Sequence, residues 1–221
     1  MIDQLTIGDV KSYDDFGASV RERSKKAPKK KSIKDTVPFS NTTYDFTAIN
    51  GEIYWEEREL EYIFEITASS PEELEEKKMP FIKWIMNIQE EEIHDPFIKN
   101  YHFTGTFSDI EEDDGEFEKS TIKVVFTAYP YMIANEPKEY TLSMIANGSK
   151  SVTVSNESAH KITPTVISDV SVTIKTTSST YSIPAGTTTS SSFQLEQGET
   201  ELVLETTEAG NVTLRFYEEV F

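Results

Sequence analysis

The chain has 221 residues, no cysteine and a formal net charge of −18, with 39 acidic against 21 basic side chains. Without cysteine there are no disulfides, thiolate metal sites or thiol nucleophiles, and the acidity argues against whole-surface nucleic-acid binding, which needs clustered cations. No charged leader with an apolar core and no apolar run of about 18 residues occurs, so neither a signal peptide nor a membrane span is expected.

Two domains are expected, because single domains cluster near about 100–150 residues. Composition shifts at Asn135-Glu136-Pro137: 19 of the 25 aromatic residues precede position 136, whereas 28 Ser and Thr residues crowd the remaining 86 positions. The expected boundaries are 1–135 and 136–221.

In chain order, Ser12-Tyr13-Asp14-Asp15-Phe16-Gly17 comes first. Asp14 and Asp15 can hydrogen-bond nearby backbone and Gly17 can take a positive φ, so this segment reads as a tight turn after a first strand. A basic stretch follows: Arg21, Arg23, Lys25, Lys26, Lys29, Lys30, Lys31 and Lys34 fall within 14 residues holding one acid, Glu22, while elsewhere 13 cations face 38 acids. A basic arm on an acidic body suits a contact in which the arm of one subunit lies on the next subunit's acidic face. A nucleic-acid arm and a solvated loop are the alternatives.

Leu60 to Thr67 alternates apolar and polar residues as a half-buried strand requires. Ser69 or Ser70 can cap a helix that Pro71 begins and that Glu72 and Glu73 favour. Its predicted buried stripe is Leu74, Phe81, Trp84, Ile85 and Ile88, and Pro80 should kink it or start a second short helix ending near Asn87. His94-Asp95-Pro96 reads as a turn after the helix. Tyr101–Phe107 and Phe117–Tyr129 are expected to pair as a long hairpin across the acidic run 109–115, with Asp114-Gly115 at its turn.

Short β-prone runs fill the remainder: 152–154, 170–174, 180–183, 192–195, 202–204 and 212–217, separated by Asn-Gly, Pro-Ala-Gly and Gly-containing turns. That spacing predicts a β-sandwich. The low-complexity stretches 176–180 and 187–192 read as exposed strands and loops.

Chemistry is hard to find in this sequence. The acidic run 109–115 lacks calcium-loop spacing, because Asp114 stands where the required glycine would be. Glu56, Glu57, Glu59 and Glu61 read as a solvated strand surface and not as a glycosidase pair. His94, His102 and His160 share no metal-binding spacing such as the helical pair four residues apart, and no nucleophile elbow, phosphate loop or dinucleotide fingerprint occurs. No catalytic residue, metal site or cofactor is expected.

Taken together, Tyr13-Asp14-Asp15-Phe16-Gly17, Val37-Pro38, Asp45, Arg58 and Tyr129-Pro130-Tyr131 resemble the motifs of the distal tail (tail-tip, or baseplate hub) proteins of long-tailed bacteriophages. Where many relatives carry a Pro-Gly-x-x-Gly-like turn, this chain has Pro38-Phe39-Ser40-Asn41 with no glycine. The resemblance implies a mainly β protein. Its N-terminal β-barrel or sandwich would carry one α-helix and a long hairpin, and its C-terminal domain would be a galectin-like antiparallel β-sandwich. Asn156 to Pro164 and Leu195-Glu196-x-Gly198 fit the latter. It further implies a non-enzymatic virion protein, assembled in the host cytoplasm and placed at the distal end of the tail. That protein would form a homo-hexameric ring with the tail tube protein above, the tail-associated hub protein below and receptor-binding proteins attached, with DNA only in transit and no membrane contact. A carbohydrate-binding sandwich module and a tail tube subunit are the rival functions.

Overall fold

The computed structural model describes residues 3–36, 39, 41–48, 53–116 and 118–221. The chain divides into two compact units, Met1–Met132 with Phe221, and Ile133–Val220.

The first unit contains β1 (Thr6–Ile7), β2 (Val10–Lys11), α1 (Ser12–Phe16), β3 (Ala18–Lys25), β4 (Lys34–Thr36), β5 (Thr43–Asp45), β6 (Arg58–Thr67), α2 (Pro71–Met86), β7 (Glu91–His94), β8 (Tyr101–Glu116) and β9 (Lys119–Ala128). The antiparallel order β2-β1-β7-β8-β9-β6-β3 forms an open sheet, and β4 and β5 form a separate two-stranded ribbon. Of the barrel and sandwich expectations for this unit, the closed barrel is therefore not what forms.

Alternation sets the buried face. Leu60, Tyr62 and Phe64 of β6 stand opposite Phe126, Val124 and Ile122 of β9, and all six are fully buried. Helix α2 covers this layer with Leu74, Phe81 and Ile85. The Phe64 and Phe81 rings meet edge to face at 5.0 Å, and burying each such side chain contributes roughly 1.5–3 kcal/mol. The helix starts as its sequence requires: Ser70 Oγ accepts from Glu73 N–H, while the Glu73 carboxylate accepts from Ser69 N–H. It runs unbroken through Pro80 to Met86. Pro80 lies on the exposed side, where the apolar stripe can hold the helix together despite the missing backbone bond.

Two further expectations change here. Ser12 to Phe16 is a five-residue helix and not a simple turn, closed by Gly17 in the left-handed region at φ 72°. The Asp15 carboxylate accepts from Lys11 N–H across its start. Strand β8 continues through Asp114 and Gly115 to Glu116, so the Asp-Gly pair occupies a register irregularity between Asp113 and Glu116 and not the connection itself. The acidic run tolerates strand geometry because Glu111 meets Lys123 at 3.5 Å and Glu112 meets Lys78 at 3.4 Å. Phe117, the first residue of the expected second strand, lies outside the described residues.

After β10 (Met132–Ala134), the second unit contains β11 (Lys138–Met144), β12 (Gly148–Asn156), β13 (Thr165–Ser168), β14 (Val172–Lys175), β15 (Thr180–Ile183), β16 (Gly186–Thr189), β17 (Gly198–Thr206), β18 (Gly210–Phe216) and β19 (Glu219–Val220). Sheets β11-β18-β13-β16 and β12-β17-β14-β15 share one core. Val166, Val212 and Leu214 from the first pack with Val154, Ile174 and Leu204 from the second, which makes an antiparallel β-sandwich. The turn before β12 needs its glycine, because a Cβ on Gly148 would lie 2.7 Å from the Ile145 carbonyl oxygen.

Residues 192–195 are not a strand. Phe193 and Leu195 are buried, but only Leu195 pairs, exchanging backbone bonds of 2.8 and 3.1 Å with Ile162. Asn156 supplies what a ladder would have supplied: its Nδ2 donates to the Leu195 and Glu196 carbonyls at 3.1 and 3.2 Å and to the His160 carbonyl at 3.1 Å.

Candidate functional site

The motif residues spread over the first unit, and the structure joins some of them. Phe16, half-buried at the end of α1, stacks on Trp84 at 5.0 Å and meets Phe81 edge-on at 6.0 Å. Tyr13 stays 37% exposed and Asp14 accepts from Gln4 Nε2, so α1 is fastened to α2 on one side and open on the other. Trp84 is thus a packing residue.

Arg58 opens β6 and is 7% exposed. Its Nε donates to the Lys26 carbonyl at 3.1 Å and its Nη1 to the Pro130 carbonyl at 3.4 Å, with the guanidinium 5.2 Å from the centre of the Phe103 ring. Burial pulls its pKa below the ordinary value. Sequence neighbours of that carbonyl complete the cluster: Tyr129 and Tyr131 lie edge to face at 5.5 Å, and Tyr131 meets Phe221 at 5.1 Å. Two motifs 72 residues apart are therefore one constellation, built from main-chain acceptors and aromatic rings.

Asp45 ends β5, where its Oδ1 accepts from Thr47 N–H at 2.9 Å. Hydrogen bonds from Thr47 hold its carboxyl below the usual range. Thr47 Oγ1 in turn accepts from Ile33 N–H at 3.1 Å, which fixes the β4–β5 ribbon. Val37 and Pro38 lie outside the described residues.

The basic residues are not one free arm. Arg21, Arg23 and Lys25 belong to β3, paired with β6. Arg21 is bonded to Glu65, Arg23 to Asp95 at 2.5 Å and Lys26 to Glu59 at 2.5 Å. Lys25 lies 5.9 Å from the Phe103 ring centre, and burial, with Arg23 adding to it, lowers its pKa. Beyond Lys26 the backbone runs beside residues 54–56: Glu56 N–H donates to the Lys29 carbonyl and Lys31 N–H to the Tyr54 carbonyl, both at 2.8 Å. Lys29, Lys30, Lys31 and Lys34 are exposed. Among the described residues the first three form no ion pair.

Sequence reasoning missed two polar clusters. Asp95, 3% exposed, accepts from Arg23, from Tyr62 Oη at 3.2 Å and from Phe97 N–H at 2.9 Å. The expected His-Asp-Pro turn is present, but it follows strand β7 and is built around this aspartate. Burial, reinforced by Asp95, pushes the Tyr62 hydroxyl pKa far up. Glu92, His94 and His102 form the second cluster, with the histidine rings 5.1 Å apart. A Glu-x-His pair on an alternating strand was the available signal. His160, by contrast, lies in the other unit, its Nε2 2.8 Å from a Glu219 carboxylate oxygen and its Nδ1 2.6 Å from the Lys161 carbonyl.

No family model matches the sequence, and no curated protein matches it. Solved structures do. The Dit protein of phage SPP1, a paradigm of the hub adsorption apparatus in phages infecting Gram-positive bacteria, aligns over 98% of this chain and 99% of its own at 14% identity, with a TM-score of 0.66. A chain of the phage P2 baseplate in its calcium-activated conformation aligns over 97% and 98% at 9% identity, with a TM-score of 0.42. In the strontium form of that baseplate the TM-score is 0.41 at 7% identity. Across both units, this chain has the fold of the SPP1 Dit hub protein.

Proposed function

We propose that this protein is a structural distal tail protein, part of the virion at the end of a phage tail. Six copies form a ring that joins the tail tube to the tail-associated hub protein and to the host-adsorption apparatus, and DNA passes through it in transit. The observation that carries this reading is the end-to-end fold likeness to the SPP1 Dit protein, which takes in both units and not one common module. The constellation described above is consistent with it: the buried Arg58 ties the Lys26 and Pro130 carbonyls together beside aromatic rings, an arrangement that holds segments in place. A non-enzymatic role without a cofactor follows on this reading.

In this proposal residues 1–135 build the ring and the galectin-like sandwich, 136–221, faces outward to carry adsorption proteins. Lys29, Lys30 and Lys31 are exposed cations available to a neighbour's acidic surface, whereas Arg21, Arg23 and Lys26 are already matched within their own chain. A head-to-tail contact of that kind closes into a ring. The excess of acids elsewhere would keep DNA from adhering as it moves.

Light scattering after size exclusion, with negative-stain imaging of the same fraction, tests the assembly. Six chains of 25.1 kDa give about 151 kDa, and ring particles of that mass or twice it are expected. Long stacked tubes would make the protein a tube subunit instead. Reversing Lys29, Lys30 and Lys31 to Glu should release folded monomers, and an unchanged ring would remove these lysines from the interface.

A further inference from the structure

We infer that Glu92, His94 and His102 form a binding site for a divalent transition-metal ion of the zinc class. The site is assembled by strand pairing. In the β7–β8 ladder Glu92 stands opposite Thr104 and Ile93 opposite Phe103, so the next step of the register brings His94 beside His102. Glu92 and His94 are two positions apart on one strand and share a face. The geometry converges further: Glu92 Oε2 lies 3.2 Å from His94 Nε2, and Glu92 Oε1 lies 3.8 Å from His102 Nε2. One ligand atom from each of the three residues falls within 4.8 Å of the others.

Tetrahedral zinc with bonds of about 2.0–2.1 Å separates its ligand atoms by about 3.3 Å. The observed spacings surround that value, and the residual adjustment falls on the side chains freest to make it. His102 is nearly enclosed, its side chain 8% exposed, whereas those of His94 and Glu92 are 34% and 60% exposed. One fixed imidazole and two adjustable ligands at the rim leave the fourth corner to solvent, where water completes the coordination. Two imidazoles and a carboxylate suit zinc, nickel or copper and disfavour magnesium and calcium, which take all-oxygen shells. The ion would clamp β7 to β8 near the edge of the sheet where β1 also pairs, Thr6 standing opposite His94.

Calorimetric titration of untagged, chelator-treated full-length protein with zinc chloride tests the site. One ion per chain is expected, with a dissociation constant on the order of micromolar or below, and magnesium chloride should give no binding. His94→Gln and Glu92→Gln, both at the exposed rim, should each weaken zinc binding by roughly tenfold or more. His160→Gln, in the other unit, should leave it unchanged. Cobalt(II) should develop the intense visible bands of tetrahedral coordination in the wild type and lose them in His94→Gln. Failure to saturate with zinc, or equal affinity in the wild type and His94→Gln, would overturn the assignment.

Discussion

Arg23 donates from Nη1 to Oδ1 of Asp95 at 2.5 Å, joining the first long strand to the turn that leaves β7. The Asp95 side chain is fully enclosed while that of Arg23 keeps 30% of its surface, and the guanidinium lies 4.2 Å from the centre of the Phe97 ring. The dependence runs one way: the partly exposed Arg23 makes the burial of the Asp95 carboxylate tolerable.

Arg23→Ala should therefore destabilise the first unit by about 2–3 kcal/mol, because the enclosed Asp95 carboxylate would lose its ion pair and keep, as hydrogen-bond partners among the described residues, the Tyr62 hydroxyl and the Phe97 N–H. Both tryptophans, Trp55 and Trp84, belong to this unit, so urea unfolding followed by tryptophan fluorescence isolates it. An unchanged midpoint at equal slope would show that the ion pair is dispensable.

Glu65 gives a pH-dependent test. Hydrogen bonds from Arg21 first, and then from Lys119, hold its carboxyl below the ordinary 4.5. A carboxyl whose pKa is lower in the folded than in the unfolded chain adds stability above the unfolded value and loses it as pH falls through the folded one. Wild type should thus exceed Glu65→Gln in melting temperature at pH 7, and the gap should shrink once pH drops below about 4.5. A gap constant down to pH 3 would contradict the assignment.

Pro80→Ala should stabilise the protein. The proline removes a backbone bond from the middle of α2, and its interior cost is about 3 kcal/mol relative to alanine; since the helix has adapted to it, a gain of about 1–2 kcal/mol is expected. A lower melting temperature would mean that the packing against β6 depends on the distortion Pro80 imposes.

Gly17→Ala tests the cap of α1. A Cβ there would meet the Lys77 side chain at an ordinary contact distance of 3.9 Å, so the cost is conformational, about 1 kcal/mol for a left-handed φ. Gly17→Asn should recover part of it. Equal loss in both variants would point to a steric cause.

Asn156→Asp probes the second unit. A carboxylate cannot donate, so the Glu196 and His160 carbonyls would lose the amide and the Leu195 carbonyl would keep only its bond from Ile162 N–H among the described residues, at a cost of about 2–4 kcal/mol. Calorimetry should show the loss as a lowered melting transition. An unshifted transition would mean that water replaces the amide.

Much of the local structure was legible from residue order. Period-two alternation placed β6 and β9, because a half-buried strand must present one apolar face, and Ser70-Pro71 with Glu73 marked the start of α2 through the chemistry of unpaired N–H groups. The motif around Tyr13 to Gly17 carried its positive φ in its glycine. Other features depend on pairings between distant segments. Pro80 stays within one helix because Phe64 and its neighbours hold Phe81 and Ile85 on the sheet. Leu195 leaves the ladder because Asn156, 39 residues away, bonds its carbonyl. Arg21 and Arg23 lie in a strand because Glu65 and Asp95 offset their charge there. His94 and His102 have no recognisable spacing in sequence and become neighbours only through the β7–β8 register. Sequence by itself determined which faces are apolar and where helices can begin, since those follow from side-chain period and local donors; tertiary structure decided which charges are matched and which ligands meet, since electrostatic partners are set by distance in space.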